Sequence, residues 1–202
     1  MPANSKSENN HHRRYWDFRA FFYALFYRIP ILSIFARGEH ISIRKLSAGL
    51  NLKSGCVLDL GCGVRVTDIF GDKFIRIGLD WSLTMLFWAR RRSSGWRYLV
   101  GDVRQLPLKD VSAAVITAVG ISEYMVDPEG CLKEIHRVLS KEGILIFTNA
   151  PQRFLNLLRR LWYPALKLRS DDFWVELCEN MGFTLRKENK LTFQHQFLFI
   201  KM

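Results

Sequence analysis

The chain has 202 residues, 49% of them apolar, which is enough for one domain with a sizeable core. Its net charge of +11 favours an anionic partner: acidic lipid, nucleic acid or an anionic substrate. Cys56, Cys62, Cys131 and Cys178 form no C-x-x-C pair and the histidines lack zinc spacing, so reduced, buried thiols and no metal site are expected.

Met1 to Asn10 is polar and without apolar periodicity, so residues 1–12 read as a disordered tail. They hold no long apolar core, so no secretory signal is expected and the chain reads as cytoplasmic. Arg13 to Arg37 is dense in aromatics, among them Tyr15, Trp16, Phe18, Phe21, Phe22 and Tyr23, interleaved with Arg19, Arg28 and Arg37. Arg14, Asp17, Ala20, Ala24 and Arg28 make one polar-or-small stripe at helical spacing. Three readings stay open: a lid over the sheet and a ligand, an interfacial helix at a membrane or greasy channel, or a dimer contact. The apolar run is too short to span a membrane. A further helix over Ile41 to Leu50 leads to the first strand, and residues 13–50 form an N-terminal helical segment.

Val57-Leu58-Asp59-Leu60-Gly61-Cys62-Gly63 reads as a buried strand that runs into a tight glycine turn. A helix is expected to follow, its free N–H groups facing the turn. Ile75 to Leu79 is a second strand, ending at Asp80 about twenty residues past the glycines, where nucleotide-binding folds place a ribose-binding acid. Ser82 caps a helix over Leu83 to Arg92, whose terminal arginines complement its dipole. Arg97 to Val100 is the third strand and Ala113 to Val119 the fourth. A helix over Pro128 to Leu139 precedes strand five, Ile144 to Thr148, and His136 on that helix reads as structural. Gln152 to Arg169 reads as an amphipathic insertion, again basic and aromatic. A helix over Asp171 to Met181 and strands over Leu185 to Glu188 and Phe193 to Lys201 complete the chain.

The strings VLDLGCG, GLDWSLTML, GDVRQLPLKD and LKEIHRVLSKEG, in this order and spacing, resemble the S-adenosylmethionine-dependent methyltransferases with a Rossmann-like fold. Within them, the closest likeness is to the branch that methylates small molecules, quinones and lipids. The resemblance implies an α/β fold over residues 51–202: a doubly wound seven-stranded sheet, mostly parallel, with the last strand antiparallel, and residues 152–169 as a lid insertion. It implies S-adenosyl-L-methionine as cofactor, with Asp59, Gly61, Cys62 and Gly63 at its methionine end. Asp80 would hold the ribose hydroxyls, Trp81 pack on adenine, and Asp102 and Val103 meet the adenine edge. Gly120 and Ile121 would line the donor pocket, and Glu123 and Tyr124 are the candidates for a general base.

Two departures stand out. Arg65 occupies the place of a third family glycine and either points outward, swings in to a cofactor carboxylate, or blocks the pocket. Lys141-Glu142-Gly143 replaces Pro-Gly-Gly before strand five. The Asn-Pro-Pro-Tyr or Asp-Pro-Pro-Tyr string of base methyltransferases is absent after strand four, which argues against nucleic acid. The sequence therefore predicts a methyltransferase of a small hydrophobic acceptor, such as a lipid or quinone, with an anionic membrane surface as a further partner. Its alternative is a non-catalytic relative whose pocket Arg65 alters.

Overall fold

The computed structural model describes residues 3–26, 30–50, 54–152, 156–157, 166–192 and 194–202. Two helices, α1 (Ala3–Phe26) and α2 (Pro30–Leu46), precede β1 (Gly55–Leu60) and β2 (Phe74–Asp80). Then come α3 (Leu83–Arg92), β3 (Arg97–Val100), β4 (Ala113–Ala118), a 3-10 turn (Ser122–Tyr124), α4 (Pro128–Val138) and β5 (Leu139–Asn149). Helix α5 (Asp171–Asn180), β6 (Phe183–Lys190) and β7 (His195–Lys201) close the chain.

The strands form one sheet in the order β3-β2-β1-β4-β5-β7-β6. Neighbours from β3 to β5 pair in parallel, and β7 runs against both β5 and β6. This is the doubly wound sheet with its last strand reversed that the sequence implied. The central strands are apolar on both faces, as a sheet covered on both sides demands. Leu58, Leu60, Ile116 and Phe147 pack with Leu132 and Ile135 of α4 and Trp174 of α5. On the other face, Val57, Val115 and Ile146 pack with Ile43 of α2 and Leu86 of α3.

Two expectations are overturned. No helix follows the glycine turn: Gly61 to Lys73 crosses from β1 to β2 in turns and irregular chain. The run Val64-Arg65-Val66-Thr67-Asp68, with Gly71 soon after, is built of weak helix formers, and its apolar members are better used as packing. Val66 and Phe70 join the core, and Val64 packs against α1. The second correction concerns the tail, because α1 begins at Ala3 rather than after residue 12. No proline or glycine interrupts Ala3 to Phe26, and a helix nucleated on the packed part of α1 extends at little cost.

The expected helices over 41–50 and 128–139 and strand over 144–148 shift their ends: α2 stops at Leu46, α4 at Val138, and β5 starts at Leu139. Within β5, Glu142 takes a φ of +57°, the conformation for which the family's glycine is suited. Most of the expected lid over 152–169 lies outside the described residues.

Candidate active site

The carboxyl ends of β1, β2 and β4 meet at three glycines with left-handed backbone. Gly61 has φ +60°, Gly63 +56° and Gly120 +68°. A Cβ on Gly61 would stand 2.3 Å from Cγ2 of Ile121, so the turn after β1 and the turn after β4 touch at this residue. A Cβ on Gly63 would meet nothing nearer than 4.0 Å, and one on Gly120 nothing within 4 Å. Open space therefore lies over these two backbones, reachable by a ligand.

Two aspartates shape the turn. Asp59 is 1% exposed. Its Oδ2 accepts from the Thr67 amide at 2.7 Å and its Oδ1 from the Thr117 hydroxyl at 2.5 Å. Burial pushes its carboxyl up to about 6 against those stabilising hydrogen bonds. Buried and with both oxygens hydrogen-bonded, Asp59 is a post that holds the β1–β2 crossover to β4. Cys62 is also buried, beside Gly78, and its thiol is pushed well above its ordinary value by burial.

Asp80 is half-buried at the end of β2. Its Oδ2 accepts from the Gly63 amide at 2.9 Å and its Oδ1 from the Ser82 amide at 2.8 Å. With the Trp81 amide also acting on it, acceptor capacity for a ribose hydroxyl remains. Burial raises its carboxyl. Next to it, Asp102 is bound by its own neighbour: Arg104 Nη2 reaches Oδ2 at 2.6 Å and Arg104 Nε lies 3.0 Å from both oxygens. The same guanidinium stands 5.6 Å from the Trp81 ring centroid. Arg104 thus engages both side chains that the resemblance assigns to adenine, and Val103 lies half-buried between its two partners in sequence.

Arg65 lies half-buried in this turn. Its backbone N–H closes the turn onto the Cys62 carbonyl at 3.2 Å. Its charge is felt at His40 of α2, whose pKa falls to about 4 through burial and then through Arg65. Since no helix starts here, the close packing that a third glycine permits is not needed.

Helix α1 roofs the site. Its Asp17 accepts from the Ser82 hydroxyl at 2.5 Å and from the Thr84 amide at 3.3 Å, at the first turn of α3. Ala20 and Ala24 are buried with Val64 and Met85, and Arg92 donates to the Ala24 carbonyl at 2.6 Å. Trp16 meets Tyr124 edge-on at 4.9 Å. Tyr15 and Tyr124 pack with Ala150, Leu166 and Leu168 at the end of β5. Glu123 is buried on the 3-10 turn, accepting from the Ser122 hydroxyl at 3.1 Å.

Sequence reasoning missed the polar cluster beyond β5. His195 Nδ1 pairs with Asp171, and Asn149 donates to Asp171 at 2.8 Å and to the Arg169 carbonyl at 3.0 Å. Thr148 accepts from the Gly120 amide at 2.8 Å and from Gln194 at 3.1 Å, which links this cluster to the donor end. His195 Nε2 is buried without a hydrogen-bond partner among the described residues. A terminal strand that is antiparallel brings its first residues to the carboxyl ends of the others, the one signal that could have located His195. His136, in contrast, lies beside Phe183 and Gly182, near the far end of the sheet, as a structural residue.

Residues 58–147 match the family model described as a methyltransferase domain. By this match the segment is similar to a methyltransferase domain, and it holds every glycine and aspartate of the turn just described. A malonyl-[acyl-carrier protein] O-methyltransferase of Hamiltonella defensa is 27% identical over 150 residues, 67% of this chain and 57% of that protein. A demethylmenaquinone methyltransferase of Chlamydia felis is 28% identical over 198 residues, 81% of this chain and 85% of that protein. The chain spans about half the length of the malonyl-[acyl-carrier protein] relatives that it matches. Among solved structures, magnesium protoporphyrin IX methyltransferase from Synechocystis PCC 6803, with bound SAH, superposes with a TM-score of 0.77. It is 15% identical and covers 96% of this chain and 99% of its own. The Rossmann-like fold is thereby confirmed.

S-adenosyl-L-methionine is the cofactor that the resemblance implies, and the residues fit it. Space that a Cβ would fill lies open over Gly63 and Gly120, and Asp80, held by Gly63, keeps acceptor capacity beside it. The adenine end fits once Arg104 leaves Asp102 or stacks on the ring in place.

Proposed function

We propose that the protein transfers a methyl group from S-adenosyl-L-methionine to a small, apolar acceptor such as a lipid or quinone. Bound cofactor supplies an activated sulfonium methyl, so the protein has chiefly to align the acceptor and exclude water. The turn at Gly61 and Gly63 gives backbone to the methionine end, Asp80 accepts from ribose, and the Trp16–Tyr124 contact closes α1 over the acceptor side. The observation that carries the acceptor class is the wall of Tyr15, Tyr124, Ala150, Leu166 and Leu168, which is apolar where an acceptor must approach. Demethylmenaquinone, named in one relative, is an acceptor of this character. Glu123, beside the donor turn, is the group to accept a proton from a hydroxyl or phenol acceptor. The test is transfer of labelled methyl from the cofactor to total lipid and quinone extracts, followed by solvent partition. Label in the organic phase supports the reading. Label confined to water-soluble or protein acceptors would replace it.

A further inference from the structure

Helix α1 has two faces, and the roof over the site uses only one. Trp16, Asp17, Ala20, Tyr23 and Ala24 turn inward to α3 and the glycine turn. The opposite face carries Phe18, Phe21, Phe22 and Leu25, which are 72%, 58%, 54% and 48% exposed. Their spacing of three, four and seven residues makes one continuous stripe along the helix. Four large apolar side chains left in water on one helix face mark a binding surface.

Charge chooses the partner. Exposed Arg14 lies four residues before Phe18 and falls on the same face. Asp17 is the one acidic residue between Arg14 and Leu25, and it is turned inward onto Ser82, so the stripe has no acidic group. The adjoining α3 exposes Leu83 and Phe87 together with Arg90 and Arg91, and Arg91 lies over the Phe87 ring at 4.4 Å. Aromatic rings with arginines along their flank suit the boundary of an anionic bilayer, where rings enter the acyl edge and guanidinium groups meet head groups. The length also fits. Arg14 to Leu25 spans about 17 Å of helix, too little to cross the hydrocarbon and enough to lie on it. Among the described residues no helix is long and apolar enough to cross a membrane.

We propose that the outward face of α1, Phe18, Phe21, Phe22 and Leu25 with Arg14, docks the protein on an anionic lipid surface. This goes beyond the proposed reaction and does not depend on it. Because the inner face of the same helix touches Tyr124, docking sets the acceptor side of the site against the bilayer.

The experiment is flotation of the full chain with two kinds of vesicle, phosphatidylcholine alone and phosphatidylcholine with phosphatidylglycerol. Wild type should float with the acidic vesicles and less with the neutral ones, and salt should weaken it. The variant Phe18→Ser/Phe22→Ser should lose binding at least tenfold. Arg90→Glu/Arg91→Glu should lose the preference for acidic lipid. Both variants alter exposed side chains, and unchanged S-adenosylhomocysteine binding by calorimetry establishes that the fold survives. Unaltered flotation of Phe18→Ser/Phe22→Ser overturns the proposal. So does a wild-type dimer in sedimentation velocity that the same variant dissolves without any vesicle binding, since the face is then an interface between copies.

Discussion

The two ends of the candidate site are built differently. At the donor end, carboxylates organise backbone within a short stretch: Asp59 holds the Thr67 amide and Asp80 the amides of Gly63 and Ser82. At the acceptor end, side chains far apart in sequence hold one another: Asn149 and His195 on Asp171, Thr148 on Gly120 and Gln194, Trp16 on Tyr124. A donor site that must present one fixed cofactor can be written as a local motif. An acceptor site shaped for one particular molecule is assembled from whatever the fold brings together.

The sharpest test of the donor-end architecture is Asp59. Its carboxyl, raised from 3.8 to about 6, is harder to ionise in the folded state. Its contribution to stability is therefore complete below the unfolded value and is lost as pH rises through about 6. Asp59→Asn can still accept from Thr67 and donate to the Thr117 oxygen, so it keeps the post without the titration. Denaturant melts should show wild type losing on the order of 3 kcal/mol relative to the variant between about pH 4 and pH 7. Parallel pH profiles would mean that the aspartate is not buried as described.

Asp80→Ala separates ligand contact from local scaffolding. Loss of a charged acceptor should weaken S-adenosylhomocysteine binding by about 1.5–3 kcal/mol in calorimetry. Equal binding by wild type and variant would remove Asp80 from the site and leave it a turn residue like Asp59.

A smaller effect is expected at the adenine end. Arg104 is about one-third exposed, so its ion pair with Asp102 and its contact with Trp81 are each worth about 1 kcal/mol or less. Arg104→Gln should tighten S-adenosylhomocysteine binding several-fold by freeing Asp102 for the adenine amino group. Weaker binding in the same titration would show that the guanidinium stays and stacks on the bound ring.

The sequence by itself determined the sheet, the glycine turn and the donor-side acids. Each rests on a local rule: an apolar run that must be covered on both faces, a backbone at positive φ that favours glycine, an acid at a strand's end. It also showed α1 as aromatic and basic, with lid, interface and dimer left open. Tertiary structure decided the rest. The crossover from β1 to β2 lost its helix because Val64, Val66 and Phe70 gain more as packing than as poor helix formers. Asp59 became a post between the crossover and β4 because Thr117, on the neighbouring strand, takes its second oxygen. His195 reached the acceptor end only because β7 runs backwards, and Asp17 reached the first turn of α3 only because α1 folds over it. Such pairings join residues separated by tens of positions, and no local period or motif encodes a contact that exists only after the sheet has closed.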